Sequence, residues 1–190
     1  MSAADDHQEY QPIETPRLTL RAPTPEDAAD LAERRSDPET ALHQAWTVPY
    51  PLAKAQELIA AVTSHDMLAP GHWSQFIIVR REDGRIVGDL AAHLSENGKT
   101  AEVGYTLHAW ARGQGYATEA TAALCDHLVR DIGVHRLEAA THPDNIASIA
   151  VLTRLGFAPE GVQRESYWVE DVVSDNALFG LLARDWTPLI

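Results

Sequence analysis

The period of apolar positions changes several times along the chain, and each change marks an element. Residues 17–23, RLTLRAP, alternate polar and apolar between two prolines and predict a first strand. TPEDAADLAERRSD then predicts a helix. Thr24 can cap it, Pro25 suits its first position, and Glu26 and Asp27 suit the positive end of its dipole. A second helical stretch is expected from about Thr40 to Trp46. From Pro51 a longer helix offers Leu52, Leu58, Ile59 and Val62 for burial.

The period then drops to two. HWSQFIIVRRE and RIVGDLAAHL, joined at Asp83 and Gly84, read as a hairpin. ENGKT turns the chain into AEVGYTLHA, a strand with Val103, Tyr105 and Leu107 on one face. WARGQGYATEA leads into a helix reaching about Ile132, with Ala117, Ala120, Leu124 and Leu128 as its apolar stripe and Gly133 as its stop. HRLEAATH is a strand, and NIASIAVLTRLG is a helix opening near Asn145 and stopping at Gly156. FAPEGVQRESYWVE and SDNALFGLLARDW close the chain as two strands. The pattern implies an α+β fold: a mixed, mostly antiparallel sheet of about six to seven strands with helices on its faces.

A length of 190 residues fits one domain. Residues 1–12 are polar and acidic and read as a flexible lead-in, which leaves 13–190 as the domain. The net charge of −13 argues against a nucleic acid or an anionic membrane as partner. An acidic surface suits a cationic substrate such as a free amine, and equally serves solubility. The one cysteine, Cys125, falls inside a predicted helix and reads as a packed core thiol. Reduced cysteine, no apolar run of membrane-spanning length and no signal-peptide pattern point to the cytoplasm. His135 and His142 bracket a strand, no H-E-x-x-H or C-x-x-C spacing occurs, and no metal is expected.

The chemistry gathers around residue 112. A strand, a short glycine loop and a helix follow one another, with Arg112, Gly113 and Gly115 in the loop. The first helical turn carries unpaired N–H groups and partial positive charge, and glycine lets a ligand approach the backbone. This arrangement suits a phosphate or pyrophosphate. A tight turn with close strand–helix packing would use the same residues. The pattern G-x-x-x-x-G-K-[ST] is absent, and G-x-G-x-x-G fails at Thr118 and follows a meander rather than a parallel unit, against a nicotinamide oxidoreductase. The pattern R-x-x-G-x-A is met by Arg112, Gly115 and Ala117.

In this setting the pattern resembles the GNAT superfamily of acyl-CoA-dependent N-acetyltransferases. ETPRLTLRAPTPEDA, GYTLHAWARGQGYATEA and HPDNIASIAVLTRLGF match its segments in order, from about Thr15 to Trp186. EGVQRESYW and the late strand ending LLARDW are similar to the ribosomal-protein N-terminal acetyltransferase branch. The resemblance implies central strands that splay apart, with acetyl-CoA as cosubstrate. Its arm would lie along Leu107, His108 and Ala109, and Asn145 would contact it while also capping a helix. Its pyrophosphate would lie on the loop Arg112, Gly113, Gln114, Gly115, Tyr116 and Ala117, with Thr118 following.

The resemblance further implies direct attack by an amine, from a peptide N-terminus or a small molecule, and frequent homodimers. A backbone N–H near Tyr105 is the candidate for the oxyanion, and Ser148 for protonating the leaving thiolate, with Tyr167 as its rival. Glu102 is the first choice of general base and Glu165 the second. Trp46, Trp73 and Trp168 are candidates for the acceptor wall. A non-catalytic acyl-CoA-binding module is the alternative reading.

Overall fold

In the computed structural model, which describes residues 10–44 and 46–189, the alternating segments become one eight-stranded sheet. Most of the expected lead-in, residues 1–9, lies outside the described residues. The strands are β1 (Ile13–Glu14), β2 (Leu18–Arg21), β3 (Trp73–Arg80), β4 (Ile86–Leu94), β5 (Thr100–Leu107), β6 (Arg136–Thr141), β7 (Ala158–Val169) and β8 (Val172–Leu182). Their order is β1-β2-β3-β4-β5-β6-β8-β7, and every pair is antiparallel except β5 with β6. The count exceeds the expected six to seven because β1 has two residues, too few to leave a periodic signal.

The helices are α1 (Ala28–Ser36), α2 (Pro38–Ala41), α3 (Leu52–Val62), α4 (Tyr116–His127) and α5 (Ile146–Arg154). Ahead of α1 a 3-10 turn spans Pro25–Asp27, where the Asp27 carboxylate accepts the Thr24 N–H at 2.7 Å. The helix expected over Thr40–Trp46 is instead the short α2. Asp37 fixes its start by accepting the Thr40 N–H at 2.8 Å, Pro38 takes the first position, and the helix ends at Ala41. Ala45, inside the expected stretch, lies outside the described residues. Beyond His127 the chain continues as a π-helical turn, Leu128–Ile132, which Gly133 ends at φ 79°.

Alternation along β3, β4 and β5 sorts the side chains onto two faces. Phe76, Ile78, Leu90, Ala92 and Val103 are buried in one core with Ala120, Leu124 and Leu128 of the α4 segment. Fully burying each large side chain contributes about 1.5–3 kcal/mol. Ala28, Leu31 and Ala32 of α1 pack with Ala55 and Ile59 of α3 in a second core. A buried polar chain ties α1 to the sheet. Arg34, fully enclosed, donates to Asp89 at 2.7 and 3.1 Å and also pairs with Asp30. Gln75 donates to the other Asp89 oxygen, and His108 Nε2 lies 2.9 Å from Asp30.

The sheet forks at its centre. β5 and β6 pair only from Thr100 with Arg136 to Glu102 with Glu138. Beyond that point β5 stays with β4 as far as Leu107 opposite Gly88, and β6 stays with β8 as far as Thr141 opposite Ala177.

Candidate active site

The fork opens into a cleft of about 960 Å3. Its lining includes the glycine loop, β5 facing α5, and the aromatic side chains of Trp46, Trp73 and Tyr167. Gly113 and Gly115 adopt φ of 73° and 80°, a region open to glycine at little cost. Gly115 is the residue before α4, and the Glu119 N–H is the first to find a helical acceptor, Gly115 O at 3.0 Å. The N–H groups of Tyr116, Ala117 and Thr118 therefore have no partner inside the helix, and all three residues line the cleft.

The loop is held from behind. The buried Glu119 carboxylate accepts from Thr15 Oγ1 at 2.6 Å and from Arg17 N and Nε at 2.9 and 2.6 Å. Arg17 also donates to Gln114 O at 2.9 Å and lies over the Tyr116 ring. Burial works against the Glu119 charge, but these donors outweigh it and hold its pKa below the ordinary value. Nothing in the sequence pattern of this helix singled out Glu119 or its tie to Thr15 and Arg17.

Register explains what β5 offers the cleft. His108 N–H bonds Val87 O at 3.0 Å, so Thr106, Gly104 and Glu102 direct their main-chain groups to β4. Tyr105 and Leu107, in the alternate positions, turn theirs toward the fork, where β6 has already diverged. These groups can pair with an extended ligand as an added strand would. At Gly104 nothing lies within 4 Å of where a Cβ would stand, so the strip between Glu102 and Thr106 stays open. Gly104 was not among the expected site residues.

Across the fork, the Asn145 side chain caps α5 by accepting the Ser148 N–H at 3.1 Å. The Tyr105 hydroxyl reaches Ser148 Oγ at 2.9 Å and donates to Ser148 O at 3.1 Å. Glu102 stands on the cleft floor in β5, with His93 opposite in β4 and Glu138 beside it in β6. Burial raises its pKa and Glu138 adds to the rise, while His93 opposes it. Tyr167 is close enough for the Glu102 charge to add to the rise that burial gives its own hydroxyl.

The cleft thus brings together Glu102, Tyr105, Leu107, Arg112, Gly113, Gly115, Tyr116, Ala117, Thr118, Asn145 and Ser148. It leaves out three of the residues expected to hold the cofactor. His108 turns to Asp30 on α1, Ala109 begins a 3-10 turn, and Gln114 folds back so that its side chain donates to Trp110 O. Arg112 lines the cleft but is already engaged by Thr40 and lies 3.6 Å from both Asp37 and Glu39. Glu165 is exposed at a register shift of the edge strand β7 and does not line the cleft. Trp168 stands in an adjoining cavity of about 420 Å3, which shares Trp46 and Arg35 with the main cleft. Cys125 is fully buried, and burial pushes its thiol pKa far up. Among the described residues no helix is long and apolar enough to cross a membrane.

A sheet forked at one parallel pair, with a glycine-opened helix start at the fork, defines the class: this is the GNAT fold. The acetyltransferase (GNAT) domain family matches residues 17–158, and the chain belongs to it. It is an acetyltransferase. A protein of Bacillus licheniformis described as an uncharacterized N-acetyltransferase, p20, is 32% identical over 90% of this chain and 96% of its own length. A ribosomal-protein-serine acetyltransferase of Escherichia coli is 27% identical over 74% of this chain and 79% of its own. Mycobacterium smegmatis RimJ, solved in complex with CoA-disulfide, has a TM-score of 0.76 at 26% identity, covering 88% of this chain and 82% of that one.

Proposed function

We propose that this chain is a cytoplasmic enzyme that acetylates the α-amine at a protein N-terminus, with acetyl-CoA as donor. The observation that carries the reading is the continuity of the cleft. One cavity takes in the α4 start, the open edge of β5 and the aromatic side chains Trp46, Trp73 and Tyr167, and it shares Arg35 and Trp46 with a second cavity. A small amine would fill only part of that space, whereas a peptide can extend into the second cavity. The name of the Escherichia coli relative agrees with a ribosomal-protein acceptor.

In this reading, the free N–H groups of Tyr116, Ala117 and Thr118 hold the pyrophosphate, and Tyr105 and Leu107 bond the pantetheine arm through their main chains. Asn145 borders the arm from α5. Glu102 takes a proton from the acceptor amine through water, and the Tyr105 N–H steadies the oxyanion. Ser148 gives its proton to the sulfur as the carbon–sulfur bond breaks.

The test is thiol release from acetyl-CoA with a panel of ribosomal-protein N-terminal peptides, set against polyamines, aminoglycosides and free amino acids. At least one peptide should exceed every small amine in kcat/KM by about tenfold or more, which corresponds to about 1.4 kcal/mol. A small amine ahead of all peptides would replace the protein acceptor with that amine.

A further inference from the structure

The Tyr105 side chain has no part in the reading above, which uses only its main chain. Its hydroxyl crosses the fork from β5 to α5 and meets Ser148 twice, at Oγ (2.9 Å) and at the main-chain oxygen (3.1 Å). Both residues line the cleft at the level where β5 and β6 part. We propose that Tyr105 is a positioning residue that sets the Ser148 hydroxyl for delivery of its proton to the leaving thiolate. This rests on the acetyl-transfer reading.

A serine hydroxyl in the first turn of a helix rotates freely or bonds local backbone groups. Here Ser148 already spends its N–H on the Asn145 cap, and its hydroxyl meets a phenol from another element. The phenol has one proton and two acceptors within reach. When it donates to Ser148 Oγ, the serine hydrogen is free to turn into the cleft. A donor on Oγ also stabilises the negative charge that grows on that oxygen as its proton departs. Burial pushes the Tyr105 pKa up to about 12, so the phenol keeps its own proton and acts as a donor.

The step balances. The acceptor nitrogen bonds the carbonyl carbon, the carbon–sulfur bond breaks, and sulfur leaves with the electron pair. The Ser148 proton moves to sulfur. The proton that nitrogen loses in becoming an amide goes through Glu102 and water and restores the serine. Nothing is oxidised or reduced.

The experiment compares wild type, Tyr105→Phe, Ser148→Ala and the double variant in kcat, in KM for both substrates and in acetyl-CoA Kd by calorimetry. Tyr105→Phe removes a single oxygen and should lower kcat by about 10- to 100-fold, at most the lower end of the roughly 10²- to 10⁴-fold that proton transfer itself supplies, as suits a residue acting through another. Kd and both KM values should stay within about twofold, below the tenfold that corresponds to 1.4 kcal/mol. The double variant should be no slower than Ser148→Ala, because Tyr105 acts only through that hydroxyl. Placing 3-fluorotyrosine at 105, which keeps the hydroxyl, should restore kcat.

Wild-type kcat in Tyr105→Phe would overturn the proposal. So would a double variant slowed by the product of the single effects, or a loss expressed only in Kd or KM. Absence of thiol release from wild type with every amine would instead sink the acetyl-transfer reading and this inference with it.

Discussion

Glu102 is held in a setting that disfavours its charge. Burial and the neighbouring Glu138 raise its pKa, and His93 only partly offsets them. A raised carboxyl pKa favours folding in the protonated form. That contribution is complete below the ordinary carboxylate range and is lost as pH rises through the raised value, so at neutral pH the ionised group costs stability. Glu102→Gln should therefore leave the Tm at neutral pH equal to or above wild type. If Glu102 is the base, the same variant should lose about 10²- to 10⁴-fold in kcat. The fall of wild-type kcat/KM on the acid side should also disappear. Unchanged turnover across pH would remove Glu102 from the mechanism. The sequence could place this glutamate on a strand beside a glycine loop. It could not show that Tyr105 spans to a serine 43 positions away, or that Arg112 is occupied by the α2 segment. Those contacts depend on how elements far apart in the chain are docked.

At the scale of elements, α1 is fixed by the buried chain through Arg34, Asp89, Asp30, Gln75 and His108. Removing Arg34 leaves Asp89 buried without its main counter-charge; Arg35 comes no closer than 4.0 Å. Breaking such a pair costs about 3–5 kcal/mol. At roughly 2–4 °C per kcal/mol for a chain of this size, Arg34→Leu should lower the Tm by about 6–20 °C. Arg34→Leu combined with Asp89→Leu should recover much of the loss, because the buried carboxylate is then removed together with its main counter-charge. A single variant within about 2 °C of wild type, less than a 1 kcal/mol effect, would contradict this role. Element order was legible in the sequence because periods of two and of helical length alternate with clear turn residues. Element ends were less so. The sequence suggests a helical stretch over about Thr40 to Trp46, while the carboxylate of Asp37, three residues earlier, decides where α2 begins. The buried ion chain left no trace in the pattern, since charges at Arg34 and Asp89 look like solvent-facing positions until α1 is laid on the sheet.

For the whole molecule, charge and cleft pull in different directions. A chain with a net charge of −13 gives an anionic cosubstrate no general attraction. The Arg112 charge is shared with Asp37 and Glu39. In the proposed function, affinity for acetyl-CoA rests chiefly on the main-chain N–H groups at the start of α4 and on the forked edge of β5. A hydrogen bond to a charged group contributes about 1.5–3 kcal/mol, so a few of them account for firm binding. They depend on Gly115 holding φ at 80°, a conformation that strains a β-branched residue. The measurement that bears most directly on the account is a calorimetric titration of acetyl-CoA into wild type and folded Gly115→Val, side by side. The account predicts saturable one-site binding to wild type and at least about a tenfold weaker Kd in the variant, the loss of one such bond. No binding to wild type, or equal binding to both proteins, would contradict it.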